Sequence, residues 1–139
     1  MLNSKILIVE DEIIVAEDLK QRLENLGYNI VGITAKGRDA IKKCRETRPD
    51  LILMDILLKG NIDGIKTAQI INKLFNVPFI YLTGNYDKAI FKRAETTKPS
   101  DYLTKPFDGT ELTECNKNSH KHTKIKKYVK RSKKYVKRK

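Results

Sequence analysis

The chain has 139 residues, 40% hydrophobic and 33% charged, the size and make-up of one globular domain. No run approaches the roughly 18 apolar residues of a membrane helix, and residues 1–5 lack the segments of a secretion signal, so the expected location is the cytoplasm. The net charge of +12 is unevenly placed: residues 1–115 carry 17 basic and 17 acidic side chains, whereas residues 116–139 carry 12 basic and no acidic ones. The expected organisation is a neutral globular domain over 1–115 and a basic tail over 116–139, helical or disordered.

In chain order, Lys5–Val9 is short and apolar and predicts a strand. In Glu12–Leu26 the apolar positions Ile13, Ala16, Leu19, Leu23 and Leu26 recur every three or four residues, and Gly27 then stops the helix. Asn29–Ile33 predicts a second strand. Gly37–Thr47 predicts a helix with Ala40, Ile41 and Cys44 inward, ending before Pro49. Leu51–Met54 is a third strand, followed by a helix over Ile65–Phe75 with Ala68, Ile71, Leu74 and Phe75 on one stripe. Phe79–Leu82 is a fourth strand, Asp87–Thr97 a helix with Ile90, Phe91 and Ala94, and Asp101–Thr104 a fifth strand. Strands one, three and four are apolar throughout, as in a parallel sheet buried on both faces. The alternation of strand and helix predicts such a sheet with helices on each side, because parallel strands need crossovers. A fifth helix is expected after Phe107, with Asp108 or Thr110 as its cap, but Cys115–His120 offers almost no apolar face and makes it atypical. Cys44 and Cys115 lack partners at metal-ligand spacing and read as reduced thiols.

Two of the buried strands end in acids. Ile6–Val9 runs into Glu10, Asp11 and Glu12, and Leu51–Met54 runs into Asp55. Ligands of open α/β sheets bind beyond the carboxyl ends of strands where the strand order reverses. If strands one and three are neighbours, Glu10, Asp11 and Asp55 converge. Clustered carboxylates repel, and a divalent cation or a lysine relieves them; Mg²⁺ suits one or two carboxylates plus water. Lys105, before Pro106, and Thr83, ending strand four, belong to the same edge. Three acids, a hydroxyl and an ammonium suit phosphoryl transfer onto a carboxylate, with Asp55 as nucleophile. An acid after a strand is also an ordinary cap or turn residue. Glu12 reads as a first-turn acid and Asp63 as a loop or cap residue.

The segments KILIVEDE, DLILMD, YLTG and DYLTKPF resemble, in order and spacing, the blocks of response-regulator receiver domains. Asp11 to Asp55 is 44 residues, Asp55 to Thr83 is 28 and Thr83 to Lys105 is 22. The resemblance covers residues 4–113 and implies a doubly wound, flavodoxin-like fold with a five-stranded parallel sheet in the order 2-1-3-4-5. It implies that Glu10, Asp11, Asp55 and the backbone carbonyl of Leu57 hold Mg²⁺, with Asp11 a more direct ligand than Glu10. A histidine kinase or a small phosphodonor would phosphorylate Asp55. Thr83 and Tyr102 would act as switch residues: Thr83 moves toward the phosphoryl group, and Tyr102 turns inward from solvent. The output surface would be the face of helix four, strand five and helix five. Tyr102 as a plain sheet-edge aromatic stays open, as does Leu57 as a packing residue. Leu57 and Asn85, two residues after Asp55 and Thr83, would flank the hydrolytic water, and a bulky apolar Leu57 predicts slow dephosphorylation.

The tail repeats Lys-Lys-Tyr-Val-Lys-Arg at 126–131 and 133–138. A basic amphipathic stretch of this kind suits nucleic acid or an anionic membrane, and a solvated segment is the plainer expectation. A frameshift is a further open origin, since the codons of Cys115–His120 read one base later can encode an amphipathic helix; the gene's nucleotide sequence decides. Three functions remain: a stand-alone receiver that is not a turnover enzyme, a tail-driven binding module regulated by the receiver, and a phosphohydrolase. The last is disfavoured because Ile56-Leu57 follows Asp55, where an Asp-x-Asp arrangement would be expected.

Overall fold

In the computed structural model, residues 4–84 and 88–105 are described, together with the backbone of 114–115 and 121–122. Strands β1 (Lys5–Val9), β2 (Asn29–Thr34), β3 (Leu51–Asp55), β4 (Phe79–Thr83) and β5 (Asp101–Thr104) form one sheet in the order β2-β1-β3-β4-β5. Every neighbouring pair in it is parallel. Helices α1 (Ile13–Asn25), α2 (Gly37–Thr47), α3 (Gly64–Leu74) and α4 (Lys88–Glu95) make the crossovers. The doubly wound sheet and its order are as expected. The fifth helix and Asn85 lie outside the described residues. In the segment after β5, β6 (Glu114–Cys115) pairs antiparallel with β7 (Lys121–His122).

Alternation along each strand divides the core in two. Ile6, Ile8, Leu51, Leu53, Ile80, Leu82 and Leu103 pack against Ala16, Leu19 and Leu23 of α1. Leu7, Val9, Ile52, Met54 and Tyr81 pack on the other side against Ala40 and Cys44 of α2, Ile65, Ala68 and Ile71 of α3, and Ala94 of α4. Burial on both sides explains why β1, β3 and β4 are apolar throughout.

Two positions assigned to helical stripes do not reach the core: Ile13 is 66% exposed and Leu74 is 54% exposed. A step of three residues falls about 60° short of a full helical turn, so successive steps rotate a position off its stripe. Leu74, three such steps from Ile65, has rotated to the opposite side. Ile13 similarly sits ahead of the Ala16–Leu19–Leu23 contact line.

The helix ends show how the chain is aimed at the sheet. Helix α1 closes with Gly27 at φ 98°, where the Gly27 N–H donates to the Glu24 carbonyl and the Tyr28 N–H to the Leu23 carbonyl. This double closure needs the left-handed geometry that glycine adopts without strain. Helix α3 begins under the Asp63 cap, whose side chain accepts the Lys66 N–H at 2.8 Å. The next residue, Gly64, approaches β3 so closely that a Cβ there would lie 1.9 Å from the Asp55 carbonyl oxygen.

Candidate functional site

The site lies where β1 and β3 run side by side and the chain departs to opposite sides of the sheet. Val9 pairs with Met54, so the next residues, Glu10 and Asp55, emerge together at the carboxyl edge. Asp55 in turn pairs with Leu82 and Thr83 with Thr104, which brings Thr83 and Lys105 to that edge. The Lys105 N–H donates to the Thr83 carbonyl at 2.7 Å, so the ladder reaches the lysine itself.

The side chains meet as the strand ends predict. The Lys105 ammonium lies 2.8 Å from Glu10 Oε1 and 3.4 Å from Asp55 Oδ2. Glu10 and Asp55 are both buried. Glu10 Oε2 accepts the Glu12 N–H at 3.0 Å, so both of its oxygens are engaged. Asp55 Oδ1 accepts the Leu57 N–H at 3.2 Å, and Asp11 Oδ2 accepts the Lys59 N–H at 3.3 Å. Carboxylate oxygens of Glu10, Asp11 and Asp55 all lie within 4.8 Å of one another.

These surroundings push the Asp55 carboxyl up to about 7. Burial is the largest cause and the Glu10 charge the next; Lys105 and the Leu57 N–H pull the other way. A cation among these oxygens would reverse that balance. The donor set fits Mg²⁺, a hard ion that takes oxygen ligands. Asp11 is only half-buried, whereas Glu10 is buried and ion-paired with Lys105.

Thr83 is buried beside this group, and its hydroxyl donates to the Leu103 carbonyl at 3.4 Å. Tyr102 is half-buried beside it. Its ring packs on Tyr81 and Phe91, and its hydroxyl is buried without a hydrogen-bond partner among the described residues. Leu57 is 37% exposed at the pocket rim.

Some participants were not anticipated from the sequence. Glu12 lies 4.0 Å from Lys105 and makes no side-chain cap bond to α1. Lys59 contributes its backbone N–H, which no side-chain pattern encodes. Gly64 matters through a missing side chain; its place just after an Asp cap was the available clue.

An acidic, lysine-bridged cluster at the switch point of a doubly wound parallel sheet defines a class: α/β domains that gather carboxylates and a lysine at the carboxyl edge of the sheet. A family model, the response regulator receiver domain, matches residues 6–116. The chain is 36% identical over 105 residues to the phyllosphere-induced regulator PhyR of Methylorubrum extorquens, covering 75% of this chain and 39% of that protein. It is 33% identical over 108 residues to the transcriptional regulatory protein PdtaR of Mycobacterium tuberculosis, covering 78% and 52%. The chain therefore spans about half or less of the length of these curated relatives. Among solved structures, the signal receiver domain of a modulated diguanylate cyclase from Desulfovibrio desulfuricans superposes with a TM-score of 0.80 at 34% identity, over 94% of this chain and 97% of that one. The receiver domain of the Pseudomonas aeruginosa sensor histidine kinase PA1611 gives 0.71 at 33% identity, over 79% and 91%; that structure has a magnesium ion coordinated in its active-site cleft. The chain belongs to the response regulator receiver domain family of two-component signalling.

Proposed function

We propose that the chain is a phosphoacceptor receiver, taking a phosphoryl group from a phosphohistidine of a histidine kinase onto Asp55 and thereby switching a protein-contact surface. The observation that supports this most is the buried Asp55 carboxylate 3.4 Å from the Lys105 ammonium, with Glu10 and Asp11 alongside. An Asp55 oxygen attacks phosphorus, the phosphorus–nitrogen bond breaks, and its electron pair stays on the imidazole nitrogen. Lys105 offsets the charge of the transferring group, and the Leu57 N–H orients the nucleophile. Mg²⁺, when bound, neutralises phosphoryl oxygens; Glu10, Asp11, Asp55 and, by the family pattern, the Leu57 carbonyl would hold it. Thr83 then hydrogen-bonds the arriving group, and the change reaches the face of α4, β5 and the expected fifth helix. The site of action on this reading is the cytoplasm.

The test is labelling by a radioactive small phosphodonor with and without Mg²⁺. One phosphoryl group per chain, dependent on Mg²⁺ and absent from Asp55→Asn, is expected. Multiple turnovers would establish a phosphohydrolase instead, and no labelling of the wild-type chain with Mg²⁺ present would refute the proposal.

A second activity rests on the 12 basic and no acidic residues of 116–139. It is salt-dependent attachment to nucleic acid or an anionic membrane through the tail, regulated by the receiver. Truncation after residue 115 removes such attachment and leaves the labelling intact.

A further inference from the structure

The placement of the Tyr102 ring against Tyr81 and Phe91 needs a physical cause. A buried hydroxyl without a partner disfavours that position, so packing must hold the ring. Its centroid lies 5.9 Å from that of Tyr81, tilted by 30°, and 5.6 Å from that of Phe91, edge-on at 68°. Phe79 meets the Tyr81 ring at 5.2 Å, also edge-on. All three spacings are those of attractive ring pairs, and the two edge-on pairs also have the favoured tilt. Tyr81 and Tyr102 are register partners across β4 and β5, and Tyr81 precedes Thr83 by two residues, so the three share one side of the sheet.

Tyr81 is itself fastened. Its hydroxyl and Thr97 Oγ1 are 2.7 Å apart, and both residues are buried. The Thr97 hydroxyl donates its proton to the Ala94 carbonyl at 2.6 Å, so within this pair Tyr81 is the donor. The Thr97 carbonyl accepts the Asn72 amide of α3 at 2.8 Å. Three elements thus converge on one threonine: β4 through Tyr81, the end of α4 through Ala94, and α3 through Asn72. This anchoring holds the Tyr81 ring against Tyr102.

We propose that Tyr81, fastened by Thr97, is a positioning residue that holds the Tyr102 ring against β4 and α4. The inference rests on the reading of Tyr102 as a switch residue. It adds that the fastening of Tyr81 biases the equilibrium of that switch toward the ring-packed placement of Tyr102.

The experiment uses the full chain with ring-labelled tyrosines observed by NMR, in the absence of Mg²⁺ and phosphodonor. Binding of beryllofluoride, a mimic of the aspartyl phosphate, is measured separately with Mg²⁺. In the wild-type chain Tyr102 is expected to show ring-current shifts and slow access to solvent. Tyr81→Leu, which removes the platform, is expected to release Tyr102 to solvent and weaken beryllofluoride binding about tenfold, as when the competent fraction falls about tenfold. Mg²⁺ affinity stays unchanged. Tyr81→Phe and Thr97→Val keep the ring and remove the fastening; an intermediate release of Tyr102 is expected, and these variants decide the matter should Tyr81→Leu fail to fold. A solvent-exposed Tyr102 in the unliganded wild type, or a Tyr102 unmoved by all folded variants, overturns the proposal. Failure of beryllofluoride to bind the wild type would instead count against the phosphoacceptor reading, while the ring signals would still decide the platform.

Discussion

Replacing Asp55 with asparagine is expected to stabilise the fold, and more so at high pH. In the folded chain the Asp55 carboxyl is pushed from its usual 3.8 to about 7, chiefly by burial and then by Glu10. A carboxyl that holds its proton more tightly when folded lowers stability as pH rises. The penalty is absent below about 3.8, grows between 3.8 and 7, and is complete above 7. A shift of about three units corresponds to a ceiling of about 4 kcal/mol, at roughly 1.4 kcal/mol per unit. The pull of Lys105 is already counted in that shift; part of the gain is lost because an amide fits the hydrogen bonds of a protonated carboxyl imperfectly. A net stabilisation of about 2 kcal/mol at pH 8.5 is expected, smaller by about 2 kcal/mol at pH 5.5. Urea unfolding of both chains with a chelator present measures it, as a midpoint shift on the order of 1 M at pH 8.5. Millimolar Mg²⁺ should narrow the difference, since it stabilises the aspartate chain through binding. A gain equal at both pH values, or an asparagine chain less stable at pH 8.5, would refute the electrostatic account.

Leu57→Asn, placing a polar group at the pocket rim, should speed loss of the phosphoryl group several-fold after donor removal; an equal or slower decay counts against a role for Leu57 beyond packing. Gly64→Ala should cost about 2 kcal/mol or more, because its Cβ would meet the Asp55 carbonyl at 1.9 Å and neither backbone can yield easily; thermal unfolding of the variant checks this, and an unchanged midpoint would show that α3 moves freely. Cys44 is buried in the core and its thiol is pushed up to about 12 by that burial. It should therefore resist thiol reagents in the native chain at pH 8 and react once urea unfolds it; fast native labelling at Cys44 would contradict the packing of α2.

Periodicity and composition were enough to predict the five strands of the parallel sheet and the four helices seen among the described residues, because burial dictates which residue types a two-faced parallel sheet accepts; the β6–β7 pair was not predicted. The ordered acids, threonine and lysine were legible for a related reason: each follows directly from the end of an apolar strand, and parallel strands bring all such ends to one edge. Chain order alone could not decide which strands are neighbours, and that choice unites Glu10 and Asp55 in one pocket with Lys105. Pattern matching also overreached at Ile13 and Leu74, where repeated steps of three turn a residue away from the core. Residues that act through backbone or through space left no local sign: the Lys59 N–H on Asp11, the close approach of Gly64, and Tyr81 held by a threonine sixteen positions later. Local sequence determined the elements and the chemical groups at their ends. Tertiary packing alone decided how those groups face one another, because the contacts that orient Tyr102 and raise Asp55 join segments that lie far apart along the chain.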